Sequence, residues 1–294
     1  MASTLGQKDT YMPKRPTTWQ RFKRTMRKNP VTALGLFIVA SLIFIAIFAP
    51  WLAPYDPYAT DPRISLEPPS RAHPFGTDTF GSDVLSRVIY GARLDLMIAF
   101  GAVGIALVVG CLLGAIAGYW EGMLAEIIMR IVELLQAFPA FILALAIAGA
   151  LGASFRNLII AIAMTNIPIY AHLMRISILS NKQHDYSMAA VSLGASPMRV
   201  LFKHLLPNSL APIFIQSTLQ PGYAILTAAG LSFIGLGVKI PEPEWGLMVA
   251  MGSPRIISGD WWVSLFPGLF IIIAVMGFNL IGDGLQDIFD PQRR

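Results

Sequence analysis

Cysteine and charge are both scarce in this 294-residue chain. Cys111 is the only cysteine, so no internal disulfide can form and no thiolate cluster can hold a metal. It lies among Gly, Leu and Val and reads as a small apolar filler. Charged residues make up 13%, against roughly a quarter in soluble domains. No G-x-x-x-x-G-K-[ST] occurs, so the chain binds no ATP through a P-loop of its own. No Ser-His-Asp, H-E-x-x-H or paired-carboxylate arrangement lies at a common depth, so no catalytic residue and no metal ligand is assigned. A nucleic-acid role is excluded as well, because the basic N-terminal stretch offers only Trp19 and Phe22 for stacking.

What the chain has instead is apolar length. Hydrophobic residues make up 55%, in runs that suffice to cross the roughly 30 Å hydrocarbon core as helices. Spans are expected near 31–50, 93–118, 127–150, 157–179, 209–237 and 262–284, an all-α integral membrane protein whose termini share one side. Residues 1–30 hold eight Lys and Arg against the single acid Asp9, which makes that side cytoplasmic. The same orientation puts 15 basic residues inside, Arg293 and Arg294 among them, and seven outside. The first run is of full spanning length and follows a basic stretch without a clear cleavage pattern, so it is expected to stay as an anchor.

Ionisable residues within the spans are few. Glu133 and Asp283 fall near cytoplasmic ends, and His172 and Arg175 sit one turn apart in the fourth span. Ion-coupled carriers usually keep carboxylates near the midplane, and none is seen here. Snorkelling toward the cytoplasmic headgroups accounts for His172 and Arg175; contact with a substrate or gate is the alternative reading. Gly110, Gly114 and Gly118 form a small-residue ridge that would let another helix approach closely. Pro139, Pro168 and Pro221 are expected to interrupt their spans, with Pro221-Gly222 a candidate for kinking around a pathway or gate.

Two external segments stand out. Residues 51–92 form a long loop rich in Pro, Asp and Gly, near whose end Asp83 can cap a short surface helix with Val84, Leu85, Val88 and Ile89 on one face. Residues 238–262 form the other, where Trp245, Trp261 and Trp262 read as interface anchors, with partner docking as the sharper alternative.

Between the fourth and fifth spans lies DYSMAAVSLGASPMRVLFKHLLPN, residues 185–208. It reads as helix, glycine turn and second helix. Ser196 suits an N-cap and Pro197 a first helical position, and Gly194 suits a turn at positive φ. Met198, Leu201, Phe202 and Leu205 are expected on one face, with Arg199 and Lys203 on the other. Ala189 and Ala190, then Gly194, then Leu206 and Pro207 resemble the EAA loop of ABC importer permeases, the cytoplasmic element that seats in the partner ATPase.

Eight further stretches occur in order: HPFGTD at 73–78, DVLSR at 83–87, YGAR at 90–93, AFP at 137–139, LPNSLAP at 206–212, LSFIGLG at 231–237, PEWG at 243–246 and FNLIGDGLQDIFDP at 278–291. Together they resemble the dipeptide, oligopeptide and nickel family of bacterial ABC importer permeases, from about residue 17 onward. The resemblance implies the type I importer permease fold: a basic tail at 1–30, a first transmembrane helix at 31–50, an external loop at 51–92 and a transporter domain at 93–287. It implies an inner-membrane importer built with a second homologous permease, two ATPase subunits that bind the ATP and Mg²⁺, and an extracytoplasmic solute-binding protein. This chain would hold no cofactor. ATPase closure would act on 185–207, with Asp185, Ala189 and Ala190 in the contact, Gly194 the turn, Met198, Leu201 and Leu205 packing it, and Arg199 and Lys203 facing the ATPase. Peptides are the default cargo; nickel chelates, glutathione, opines and sugars are the alternatives within the family. An ATP-independent channel or secondary carrier is the reading from outside it. Met188 replaces the loop's usual Glu, Ser82 a common Arg, and Ala228 a common Glu.

Overall fold

The computed structural model describes residues 30–289. The basic tail through residue 29 and Arg293-Arg294 lie outside the described residues. Among those described, the chain is helical, with no strand beyond an isolated Thr77–Asp83 bridge. The long elements are α1 (Pro30–Leu52), α2 (Val84–Tyr119), α3 (Met123–Gln136), α4 (Ala140–Leu151) and α5 (Phe155–Lys182). After them come α6 (Asp185–Ser192), α7 (Pro197–Arg199), a π-helical turn (Val200–Leu205), α8 (Leu206–Asn208), α9 (Leu210–Phe233), α10 (Trp245–Gly252) and α11 (Trp262–Phe289).

Four helices are long and apolar enough to cross a membrane: α1, α2, α5 and Trp262–Gln286 of α11. The expected span at 127–150 is instead a broken pair, α3 and α4 meeting at 92°. Pro139 stands at the break, immediately before α4, where its missing amide hydrogen ends one helix and starts the next. The expected span at 209–237 corresponds to α9, 24 residues long, but Gln216, Ser217, Thr218 and Gln220 keep its apolarity below that of the others. By length and apolarity alone four helices qualify among the described residues, or five if the bent pair is one span.

Other expectations also change. Pro168 and Pro221 lie inside unbroken α5 and α9, so they do not interrupt those helices. The side chains of Thr165, Asn166, Ser217 and Thr218, in the turn before each proline, donate to carbonyls three or four residues back. The surface helix expected after Asp83 is not separate: residues 84–92 are the first turns of α2, a single helix of 36 residues. Asp83 does cap it, one carboxylate oxygen accepting from the Ser86 amide at 2.8 Å and its hydroxyl at 2.7 Å.

α2 and α5 make the most extensive contact in the molecule, and the glycine ridge is its cause. A Cβ on Gly110, Gly114 or Gly118 would lie 2.6 Å from Tyr170 Cβ, 2.2 Å from the Ala171 carbonyl oxygen and 2.9 Å from Ile178 Cβ respectively. The helices touch backbone to backbone there, gaining dispersion contacts that no larger residue would permit.

The 53–83 segment is folded as a cap. Asp78 accepts from the amides of Phe80 and Ser82 at 2.8 and 3.0 Å and pairs with Arg87 at 3.4 Å. His73 Nδ1 lies 2.9 Å from Asp83, Phe75 stacks on Phe266 at 3.9 Å, and Trp262 donates to the Thr77 carbonyl at 3.1 Å. These bonds pin the cap to the first turns of both α2 and α11.

Candidate coupling surface and transport pathway

The tryptophans expected at the interface divide. Only Trp261 is exposed, at 46%; Trp245 and Trp262 are buried. Trp245 is a core residue, its indole donating to the Val88 carbonyl at 2.9 Å and its amide to Asp95 at 3.1 Å. Glu244 caps α10 through the Gly246 and Leu247 amides at 3.0 and 2.7 Å. Burial raises the Glu244 carboxyl above its usual range, with those amides pulling the other way.

At the opposite end, α6 to α8 form a compact element on the ends of α5 and α9. Its turn is a Schellman motif: Gly194 has φ +79°, its amide donates to the Val191 carbonyl at 2.9 Å, and the Ala195 amide donates to the Ala190 carbonyl at 3.1 Å. Ala190 and Ala195 pack on the core beneath it, whereas Ala189 is exposed. Ser196 occupies the N-cap position, and Pro197 the first helical one, but the serine side chain makes no capping bond.

The expected apolar face is half right. Leu201 and Leu205 are fully buried, joined by Val200, but Met198 and Phe202 are 59% and 45% exposed. The π-helical turn over Val200–Leu205 is the reason: its wider turn shifts the 3.6-residue register and rotates Met198 and Phe202 outward. Met198 therefore does not pack the element. Asp185, Arg199, Lys203 and Pro207 are exposed, and Leu206 is partly buried.

The outward surface is mainly apolar. Tyr186, Met188, Val191, Leu193, Met198 and Phe202 are all exposed, Leu193 by 88%. Two polar clamps meet at the end of α5, one of which holds the element. Asn181 donates to Ser209 Oγ at 2.9 Å and accepts from the Tyr186 hydroxyl at 3.1 Å, which joins α5, α6 and α9. Lys182 donates to the Tyr119 carbonyl at 3.1 Å and to Glu121 at 2.9 Å, which ties α5 to the end of α2. Sequence reasoning missed Asn181, Lys182 and the exposed Leu193; a large apolar residue directly before a turn glycine was the available signal for the last.

The candidate pathway residues fall into two groups. Pro221 and Gly222 are buried, and a Cβ on Gly222 would lie 3.3 Å from Phe278 Cβ of α11. His172 Nε2 and Arg175 Nε are buried without a hydrogen-bond partner, and Arg175 borders a polar cleft beside α3 rather than pointing clear of the bundle.

Residues 110–294 match the family described as binding-protein-dependent transport system inner membrane component, and residues 17–69 match the N-terminal transmembrane domain of oligopeptide transport permease C. The chain belongs to the binding-protein-dependent transport permeases. It is 46% identical to the dipeptide transport system permease protein DppC of Alkalihalophilus pseudofirmus, over 94% of this chain and 90% of that one. It is 41% identical to the di/tripeptide permease DppC of Pseudomonas aeruginosa (94% and 93%) and to the glutathione permease GsiD of Escherichia coli (94% and 91%). A chain of the inward-facing MetNI methionine ABC transporter superposes with a TM-score of 0.56 at 18% identity, covering 69% of this chain and 97% of that one, which places the fold among ABC importer permeases. As a member of this family the chain is an ABC transporter permease of the inner membrane. Ala228 is fully buried, so the side chain at this position is enclosed by the core.

Proposed function

We propose that this permease forms, with a second related permease, the pathway of an ATP-driven importer for di- or oligopeptides delivered by an extracytoplasmic binding protein. The observation that carries the reading is the exposed apolar surface of α6 to α8, seated on a buried anchor of Val200, Leu201 and Leu205. An apolar surface of this kind at a helix-bundle end needs a partner to cover it. Two ATPase subunits, which bind the ATP and Mg²⁺, are that partner. The permease names carried by the similar proteins support peptide as cargo.

In this reading α9 and the α3–α4 pair complete six crossings, both termini are cytoplasmic, and the cap faces the binding protein. ATPase closure moves α6 to α8 in one state and releases them in the other; the differential contact is what couples the sites. Arg199 and Lys203 flank the apolar surface and face the ATPases. The chain itself holds no cofactor and catalyses no reaction.

The test is a mild-detergent pull-down of the tagged chain from native membranes with mass spectrometry, combined with peptide uptake. Recovery of a P-loop ATPase and a second permease, with uptake abolished by a Walker-lysine substitution in that ATPase, is expected. Recovery of the chain alone with uptake intact would overturn the reading in favour of a channel or secondary carrier. The glutathione permease relatives favour a second cargo of related chemistry, which competition between dipeptide and glutathione for uptake separates.

A further inference from the structure

α3 presents three faces. Ala125, Met129 and Val132 are buried, and Met123, Leu124, Ile131 and Leu134 form an exposed apolar face. Between the two run Glu126, Arg130 and Glu133, spaced four and three residues apart on one flank of the helix. With Arg175 of α5 they border a cleft of about 390 Å³, floored by Met129. That is within the roughly 300–1,000 Å³ typical of small-molecule clefts. The cleft lies toward the α6–α8 end of the bundle, where Lys182 and Glu121 pair.

Its charges are unevenly matched. Arg130 and Glu133 pair at 3.5 Å. Among the described residues neither Arg175 nor Glu126 has an ion partner within 4.0 Å, and Arg175 Nε is buried with no acceptor. Charged side chains on membrane helices are costly unless they face protein or a water-filled passage, which is why they mark substrate routes. The cleft therefore presents one half-buried guanidinium and, at its exposed rim, one carboxylate, neither with an ion partner among the described residues. A molecule that carries an anion at one end and a cation at the other satisfies both.

We propose that this cleft is a way-station for the peptide's charged termini: Arg175 receives the C-terminal carboxylate and Glu126 the N-terminal ammonium. The inference rests on the importer reading above and assigns the substrate contact within it. Guanidinium and carboxylate form charge-assisted, bidentate hydrogen bonds, so Arg175 supplies orientation as well as attraction. Contacts of this kind must be weak enough to release the peptide, which an open cleft shared with water provides.

The experiment uses the assembled importer in proteoliposomes, with dialanine and dialanine amide as probes, each at saturating binding protein. Arg175→Ala is expected to slow dialanine uptake by about tenfold, the scale of one lost charge-assisted hydrogen bond, while leaving the amide's rate unchanged. Glu126→Gln should slow both probes, since both keep the ammonium, and should leave N-acetyl-dialanine unaffected. Arg175→Lys should recover part of the loss. Gel filtration of each assembled complex separates a transport defect from failed folding. Equal loss for dialanine and its amide in Arg175→Ala, or no loss for either, would overturn the assignment. So would an Arg175 effect that follows the anionic-lipid content of the vesicles and not the peptide terminus, because the cleft would then hold a headgroup. Walker-lysine dependence of wild-type uptake is read in parallel: its failure breaks the importer reading, whereas its presence with unselective variants breaks only the cleft.

Discussion

The two ends of the bundle are finished in opposite ways. At the cap end most polar groups are bonded internally: Asp78, Asp83, Asp95 and Glu244 each accept backbone amides or pair with a neighbour, and Trp245 and Trp262 are buried with their indoles bonded, although Ser82 Oγ, Asp95 Oδ1 and Ser232 Oγ are buried without a partner. At the α6–α8 end, Leu193, Met198 and Phe202 stand in the open, and the chain turns through a glycine whose surroundings are empty within 4 Å. A surface that is closed on itself can meet a partner without changing. One that leaves apolar side chains uncovered is open to a partner, and in the importer reading proposed above the α6–α8 surface is the moving contact; Ile257, 95% exposed, shows that the cap end is not wholly covered either.

The largest effect expected lies between the two ends. Gly114→Leu drives a side chain into the Ala171 carbonyl, and overpacking of this sort costs about 1–3 kcal/mol, more where backbone must move. Loss of folded, monodisperse protein on gel filtration is the expected result; a normal elution profile would show that α2 and α5 can separate cheaply. Gly194→Val is next. It forces a β-branched residue to φ +79°, a cost of about 1–2 kcal/mol, with no steric clash around it. Membrane-inserted protein should persist while uptake falls at least several-fold, and unchanged uptake would remove the turn from the coupling argument.

Smaller still is Leu193→Ser combined with Met198→Ser. Both side chains are exposed, so stability should stay within about 0.5 kcal/mol while ATPase capture in the pull-down weakens several-fold. Undiminished capture would assign the surface to another use. The smallest effect is a pH trend at the cap end. The Glu244 carboxyl is raised by burial, so the folded state binds its proton more tightly than the unfolded state. Stability is then fully present below the ordinary carboxylate range and declines as pH rises through the raised folded value. Thermal melting of the purified protein should fall with pH over that window; the buried Asp95 carboxyl faces Glu244, so Glu244→Gln should change the trend and not abolish it, while lowering melting slightly through loss of one cap acceptor.

Local rules made much of this visible in the sequence. Gly194, Ser196 and Pro197 announced a helix, a turn and a second helix, because each residue type has one conformational use there. The glycine ridge announced a close helix contact, though not that its partner would be α5. What stayed hidden depends on neighbours distant in sequence. Trp245 reads as an interface anchor until Asp95 and Val88, some 150 positions earlier, are seen to bond it. Met198 lost its buried place to a π-helical turn that no simple periodicity contains. α9 was marked by length, but its polar middle withholds the apolar signal carried by the other spans. Of the charged flank of α3 only Glu133 stood out in the sequence, and only the fold brings Arg175 beside it.

The glycine ridge has a mechanical corollary. With α2 and α5 in backbone contact over three successive positions, neither can slide or roll without the other. The cap is fastened to the first turns of α2, α6 is fastened to the last turn of α5 through Asn181, and Lys182 ties that turn of α5 to the end of α2. α2 alone is 36 residues, about 54 Å at 1.5 Å per residue. The pair is therefore a stiff rocker arm with a fitting at each end: a tilt of a few degrees imposed on one fitting becomes a shift of several ångströms at the other, delivered without any side chain along the shaft changing its rotamer.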